Sequence, residues 1–157
     1  MTDRFDFVST TDKPAILAFS TPEWLDAART ALQELGYKVH TAATHSDFLI
    51  RFTQVHYQVV VVEELFAANT VEENVTLKTL QTMTAKQRRH ATVILLGDSY
   101  QTFTPLQAFH ESVHVVINSS EMFLLKQLIE KAVADNTLFL QSISEVESRV
   151  NASGQRE

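Results

Sequence analysis

The segment from Gln58 to Glu64 constrains the fold more than any other part of this chain, because it holds four consecutive valines followed by two glutamates. Such a run is typical of a strand that is buried on both faces, as in a parallel sheet covered by helices. In an open α/β sheet, ligands bind just beyond the carboxyl ends of the strands. The role of Glu63 and Glu64 at the end of this strand is therefore the central question.

Composition narrows the class of protein. The 157 residues fit one domain with a tail, and 45% of them are apolar, which is enough for a packed core. The net charge of −6 argues against a general nucleic-acid binder and against docking on an anionic membrane surface. There is no cysteine, which excludes disulfides and cysteine-ligated zinc. No signal peptide or membrane-spanning run is visible, so a cytoplasmic location is expected.

Short apolar segments alternate with segments of helical periodicity along the chain. Thr21 and Pro22 have the character of a helix start, and Gly36 fits the left-handed position that ends a helix. The predicted strands are residues 15–19, 37–42, 59–62, 92–96 and 113–117. The predicted helices are residues 22–35, 46–55, 74–83, one beginning near 104, and one running from 118 or 120 to about 150. This alternation predicts a parallel five-stranded sheet in the order 2-1-3-4-5, with helices on both faces.

We divide the chain into four parts on this pattern. Residues 1–12 are expected to form a flexible N-terminal tail, and residues 13–135 the α/β domain. Residues 136–150 are expected to extend the last helix, and residues 151–157 to be a disordered tail.

The chain resembles the receiver domains of bacterial response regulators over roughly residues 13–135. The resemblance depends on the order and length of the elements, on the sequence segment from Leu32 to Val39, and on the valine strand. It implies a flavodoxin- or receiver-like (βα)5 three-layer sandwich with an extended C-terminal helix. It also implies a role in two-component signal transduction.

The chemical motifs of that family are changed in this chain. An active receiver carries an acidic pair after its first strand that binds magnesium, and the matching positions here are Ser20 and Thr21, or Phe19 and Ser20 if the register slips. None of these residues offers the charged oxygen that magnesium prefers. The family's phospho-accepting aspartate corresponds to Glu63, which Glu64 follows.

Two further positions of the phosphoryl-transfer site also differ. The family's hydroxyl residue after the fourth strand corresponds to Gly97, and its lysine after the fifth strand corresponds to Asn118. Phosphoryl transfer depends on positioning and on charge neutralisation by metal and lysine. The resemblance therefore implies a degenerate, or pseudo-, receiver that does not autophosphorylate, has no catalytic residue, metal or cofactor, and acts by binding a protein partner, a fused domain or itself.

Two interpretations of Glu63 remain open at the level of sequence. Its carboxylate could imitate a permanently modified acceptor, although Gly97 supplies no hydroxyl that could respond to it. Alternatively, Glu63 and Glu64 are solvated residues at a strand end. A different class of function is a small-ligand or nucleotide sensor that uses the crevice around Ser20, Glu63 and Gly97. Repulsion by the two carboxylates counts against a phosphate-bearing ligand.

A third class of function comes from His110-Glu111-Ser112-Val113-His114, which spells the H-E-x-x-H signature of zinc hydrolases. On one helix, histidines four positions apart can bind zinc while the glutamate acts as a base. Here His114 opens a β-branched run that predicts a strand. Helical structure through His114 is therefore the condition for this interpretation.

The last predicted helix is longer than a receiver needs. Beyond Asp135, apolar residues recur at Phe139, Ile143, Val146 and Val150, spaced four, three and four residues apart. This spacing is typical of a short coiled coil or of a helix–helix contact. An exposed amphipathic extension of this length is marginal alone, so we expect it to contact a second copy or a neighbouring domain, with a homodimer favoured. The alternative is that the helix folds back on its own domain or frays.

Overall fold

Five parallel strands form a single sheet in the computed structural model, which describes residues 7–88 and 91–154. The strand order is β2-β1-β3-β4-β5, which confirms the prediction. The strands in chain order are β1 (Pro14–Ala18), β2 (Lys38–Ala42), β3 (Val59–Glu63), β4 (Thr92–Gly97) and β5 (Val115–Asn118).

Helices follow the strands on both faces of the sheet. Two stretches of 3-10 helix, Val71–Glu73 and Ser119–Leu124, lead into α3 and α6. The helices in chain order are α1 (Pro22–Glu34), α2 (His45–Gln54), α3 (Val75–Thr82), α4 (Ala85–Arg88), α5 (Pro105–His110) and α6 (Leu125–Gly154). The short helix α4 was not predicted as a separate element. With this arrangement the predicted receiver-like α/β fold with a long C-terminal helix is confirmed.

The valine strand β3 occupies the centre of the sheet, and all five of its residues are buried. Alternate valines face opposite sides, as strand geometry requires. Val60 and Val62 pack with the apolar residues of α2, α3 and α5. Val59 and Val61 pack with those of α1 and α6. The two packed faces make the three layers that the sequence predicted.

The end of the chain differs from the prediction in two ways. The helix α6 begins at Leu125, because residues 119–124 form a 3-10 turn first. It then continues to Gly154, so residues 151–154 of the predicted disordered tail are helical, and residues 155–157 lie outside the described part. The helix α6 continues this far because its sequence contains no proline and its single glycine is the last helical residue.

The start of β5 is also shifted. The predicted strand began at Val113, whereas β5 begins at Val115. Ser112 has a left-handed φ of 55°, so the backbone is still turning out of α5 when it reaches Val113. At the other end of the chain, residues 1–6 of the predicted tail lie outside the described part. Ser9 and Asp12 form a hydrogen-bonded turn just before β1.

Within the described ranges, none of the helices combines the length and the apolar composition that a membrane crossing requires.

Candidate functional site

The residues predicted to form a pocket all lie at the carboxyl edge of the sheet. Ser20 and Thr21 connect β1 to α1, Glu63 ends β3, Gly97 ends β4, and Asn118 ends β5. Parallel strands place these ends side by side, which is where ligands bind in this class of fold. The structure divides them into two groups, one around Glu63 and one around the loop after β4.

The Glu63 side chain crosses to the start of α1. Its Oε2 accepts hydrogen bonds from the backbone N–H of Ser20 at 2.5 Å and of Thr21 at 3.2 Å, and its Oε1 accepts one from the Thr21 hydroxyl. Thr21 is the N-cap residue of α1, but its hydroxyl donates to Glu63 instead of capping the helix. The carboxylate thus satisfies N–H groups at the positive end of the helix dipole.

Burial excludes one of the two interpretations that the sequence left open, in which Glu63 and Glu64 are solvated residues at a strand end. Glu63 is 4% exposed and Glu64 is 8% exposed, so neither is a solvated residue. A buried carboxylate requires hydrogen-bond donors or an opposite charge. Glu63 finds three donors within its own chain, and its placement therefore has a structural cause that the sequence pattern did not reveal.

Glu64 explains why position 97 holds glycine. A Cβ built on Gly97 would lie 2.6 Å from the Cβ of Glu64 and would also collide with its carboxylate. The Glu64 backbone N–H donates to the carbonyl of Leu96 at 2.7 Å, which holds the two residues in this close register. The volume that a hydroxyl side chain would need at position 97 is filled by Glu64.

Asn118 does not reach Glu63 but holds the loop after β4. Its Nδ2 donates to the carbonyl of Tyr100 at 2.7 Å and, more weakly, to that of Asp98 at 3.4 Å. Its Oδ1 accepts from the Ser120 N–H at 2.8 Å. The neighbouring Ser119 hydroxyl donates to the Asp98 carboxylate. A neutral amide that serves both as donor and acceptor is suited to this bracing role, for which a lysine lacks the acceptor.

Asn74 is an organising residue that the sequence analysis gave no role. It is fully buried, and its Nδ2 donates to the carbonyls of Glu63 and Glu64 at 3.0 and 3.1 Å. Its Oδ1 accepts from the Leu77 N–H and caps α3. The sequence could have indicated that Asn74 is the N-cap residue of α3. It could not have indicated that Asn74 contacts the end of β3.

Ser20 connects the first loop to the one after β3. Its hydroxyl accepts a hydrogen bond from the Ala67 N–H at 2.8 Å. Ala67 has a φ of 47°, a left-handed conformation that costs roughly 1–2 kcal/mol in a residue with a Cβ. The Ser20 contact helps to hold this turn beside the Glu63 carboxylate.

Three glutamates influence the titration of the buried Tyr100 phenol. Tyr100 is 7% exposed, and burial, reinforced by Glu111, Glu64 and Glu72, raises the pKa of its phenol well above the usual value. Burial likewise raises the pKa of Glu111, with Glu64 and Glu72 adding to the effect. Like charges at this edge of the site disfavour further negative charge.

The donor set does not suit the magnesium ion of an active receiver. Magnesium requires several oxygen ligands in octahedral geometry. The Glu63 oxygens instead face two backbone N–H groups and a hydroxyl, which are hydrogen-bond donors. Across the described ranges, no three histidine or acidic side chains are grouped closely enough to hold a metal ion.

The H-E-x-x-H motif does not lie on one helix. The helix α5 ends at His110, Glu111 is its C-cap, and the left-handed Ser112 turns the chain away. The His114 Nδ1 accepts a hydrogen bond from the Val93 N–H at 2.9 Å. The condition set for a zinc hydrolase, helical structure through His114, is therefore not met.

The four residues of the predicted interaction helix are exposed. Phe139 is 61% exposed, Ile143 39%, Val146 57% and Val150 64%. They lie on α6 beyond the sheet and face outward, as expected for a surface that contacts a partner.

Comparison with known proteins identifies the fold. No family model matches the chain, and no curated protein sequence is significantly similar to it. Among solved structures, NtrX from Brucella abortus in complex with ADP has a TM-score of 0.66 at 15% identity, over 90% of this chain and 30% of NtrX. The chain thus spans less than a third of NtrX.

Two smaller structures are similar along nearly their whole length. The chemotaxis response regulator CheY4 of Vibrio cholerae has a TM-score of 0.60 at 15% identity, over 78% of this chain and 99% of CheY4. The beryllofluoride-activated NtrC4 receiver domain dimer has a TM-score of 0.55 at 13% identity, over 76% of this chain and 98% of that domain. At these identities the similarity concerns the fold, which is that of CheY-like receiver domains.

We predict that the Glu63 carboxylate stabilises the fold. Glu63→Gln keeps the size of the side chain but places an NH2 group against N–H donors. We expect the free energy of unfolding to fall by about 1–3 kcal/mol, the usual cost of an unsatisfied buried polar group. Urea denaturation measures it. The control Glu130→Gln, at an exposed position of α6, should change stability by less than about 0.5 kcal/mol. Equal losses in both variants would contradict the prediction.

A second prediction concerns the contact between Gly97 and Glu64. Gly97→Ala should destabilise the protein by about 1–3 kcal/mol, the cost of overpacking. Removing the opposing side chain with Glu64→Gly makes room for the methyl group. In a double-mutant cycle followed by urea denaturation, we expect the double variant to be more stable than the sum of the singles by at least about 1 kcal/mol. Additive losses would mean that the two residues do not collide.

Proposed function

We propose that this chain is a pseudo-receiver, a non-enzymatic signalling module that is not phosphorylated and acts through protein–protein contacts. The observation that carries the proposal is the position of Glu63. Its carboxylate binds the start of α1 instead of facing solvent as an acceptor. The receiver fold supports a signalling role, since receiver domains are generally non-enzymatic modules.

The residues around Glu63 supply none of the parts that phosphoryl transfer needs. Charge on the transferred group must be neutralised by metal and cationic side chains. Here the neighbours of Glu63 are backbone N–H groups and a hydroxyl, and the position of the family's lysine holds Asn118, which is engaged with Tyr100 and Ser120. Further negative charge at this edge would meet Glu64 and Glu111.

The same contacts make imitation of a modified acceptor the weaker interpretation of Glu63. Imitation requires a responsive group that changes place when charge appears. Glu64 fills the space where a hydroxyl at position 97 would stand. We therefore assign Glu63 a structural role, as a capping group of α1. The small-ligand alternative meets the same difficulty, because side chains of the protein occupy the crevice.

The exposed part of α6 supports a role in association. Four apolar side chains spaced as in a coiled coil remain on its surface. A helical extension of this size gains most of its stability from packing against a partner. We propose that α6 contacts a second copy of the chain, with a protein partner or a fused domain as the alternative occupant.

We predict that the protein gains no phosphoryl group. Intact-mass spectrometry after incubation with a small phosphodonor and magnesium checks this, with a phosphorylatable receiver treated in parallel. Glu63→Asp restores the family's acceptor type, and we expect it to remain unmodified too, because metal-binding carboxylates and the lysine are still missing. A mass gain on the unchanged chain would overturn the pseudo-receiver proposal.

We predict that apolar residues of α6 drive self-association. Ile143→Ser combined with Val146→Ser should convert a dimer into a monomer in light scattering at tens of micromolar. The matched control Ser148→Ala with Asn151→Ala changes two residues off the apolar stripe and should leave the dimer intact.

Point variants are preferable to truncation after Asp135 for this purpose. Truncation would remove Asn136, whose buried Nδ2 donates to the Thr92 hydroxyl at 2.9 Å. A monomeric wild-type chain at these concentrations would contradict self-association.

A further inference from the structure

A pocket outside the Glu63 site lies between the loop after β4 and one face of α5. Its volume is about 700 Å³, which is within the usual range of small-ligand sites. Its lining combines apolar, aromatic and acidic side chains. The lining residues are Ser99 and Tyr100 of the loop, and Leu106, Gln107, Phe109, His110 and Glu111 of α5 and its C-cap.

The pocket uses the face of α5 that is turned away from β5 and α6. Pro105 and Ala108 line a different groove, which lies beside those two elements. Leu106 and Phe109 are three positions apart, so they lie on the same side of the helix. They are 76% and 82% exposed. Two neighbouring large apolar side chains with this exposure indicate a surface that an apolar group covers.

The Tyr100 side chain brings a polar group without a partner to this pocket. Tyr100 is 7% exposed, yet its hydroxyl forms no hydrogen bond with any residue in the described part of the chain. Buried tyrosine hydroxyls usually find a partner. Because Tyr100 lines the pocket, a bound molecule would supply that partner. The phenol oxygen can accept a hydrogen bond from an N–H group.

The charges that act on the pocket are mainly negative. Glu111 lines it, and Glu64 and Glu72 are close enough to influence the titration of both Tyr100 and Glu111. Neither lysine nor arginine occurs among the described lining residues. The His110 Nε2 lies 4.0 Å from the Glu111 Oε1, at the limit of an ion pair. The pocket therefore favours a positively charged group.

Hydrogen bonds hold the walls of the pocket in place without a ligand. The Asn118 Nδ2 donates to the carbonyl of Tyr100 at 2.7 Å and fixes the loop. The Gln81 Nε2 donates to the backbone carbonyl of Glu111 at 2.9 Å, and to its carboxylate at 3.4 Å. A wall that is already ordered reduces the entropy that a ligand must overcome on binding.

We propose that this pocket binds a small organic cation, in which an amine or guanidinium is joined to an apolar or aromatic body. The cation lies beside the Glu111 carboxylate and the Tyr100 hydroxyl, and the body covers Leu106 and Phe109. The aromatic face of Phe109 adds an attraction for the positive charge. This inference goes beyond the proposed signalling role and does not depend on it, because its residues lie outside the Glu63 site.

Three probes of similar shape and different charge test the proposal: phenethylammonium, the neutral phenethyl alcohol and the anion phenylacetate. Each is titrated into the full-length protein, and the backbone amide signals are followed by NMR. We expect phenethylammonium to shift the signals of residues 99–111 with a dissociation constant of about 1 mM, and the other two probes to bind about tenfold more weakly. Equal binding of the alcohol would overturn the recognition of charge. Shifts confined to other residues would overturn the site.

Three variants test the assigned contacts with phenethylammonium. Glu111→Gln keeps the shape of the side chain but removes its charge, and should weaken binding about fivefold. Phe109→Ser changes an exposed position, where folding is not at risk, and should also weaken binding about fivefold. Tyr100→Phe, which removes only the hydroxyl, should weaken it about threefold. The control Glu130→Gln on α6 should bind as the wild type does. Wild-type affinity in both Glu111→Gln and Phe109→Ser would overturn the proposal.

A capped dipeptide distinguishes a small ligand from the side chain of another protein. Acetylated and amidated phenylalanyl-lysine carries the same aromatic and ammonium groups on a peptide backbone. We expect it to bind no more tightly than phenethylammonium, because the pocket accommodates a compact molecule. Binding that is about tenfold tighter would overturn the assignment to a small molecule and would assign the pocket to a basic protein segment.

Discussion

The hydrogen bonds between the Glu63 carboxylate and the start of α1 are the interaction on which the arrangement of this edge depends. They join the central strand to the first helix across the place where a receiver normally holds its metal. Asn74 then binds the carbonyls of the two glutamates and starts α3, and Ser20 holds the turn at Ala67. The Glu63 carboxylate, the Asn74 side chain and the Ser20 hydroxyl thereby link the connections after β1 and β3 to the start of α3.

Much of the fold could be predicted from the sequence because its signals are local and repeated. The valine run, the helix-starting Thr21-Pro22 pair and Gly36 each report the conformation of their own segment. The strand order was inferred from the size of the chain and from the alternation of strands and helices. The site was predictable only as a set of positions. No pattern indicates that Glu63 turns toward α1, or that Gly97 is small because Glu64 fills its space, since both facts arise where distant segments meet.

Segment ends were harder to predict than segments. His110 and His114 fit a helical motif by spacing, yet Ser112 takes a left-handed conformation between them. Spacing describes a helix only if the backbone remains helical, and the β-branched run from Val113 to Ile117 already indicated a strand there. The last helix shows the opposite case. Polar residues after Val150 resemble a disordered tail by composition, but they continue a helix that is already formed and needs no new nucleus.

Along α6, positions alternately four and three residues apart form one stripe, which is buried at Leu125, Ile129, Ala132 and Asn136 and exposed at Phe139, Ile143, Val146 and Val150. A repeat of 3.5 residues on a helix of 3.6 residues per turn drifts by about 20° every seven residues. Between Leu125 and Val150, 25 positions apart, the stripe therefore rotates by about 70° around the helix. The part that faces the sheet and the part that faces solvent point in different directions. A partner helix that packs along the exposed part of the stripe must therefore wind around α6 with a left-handed supercoil. The axis of that partner helix is then inclined to the axis of α6.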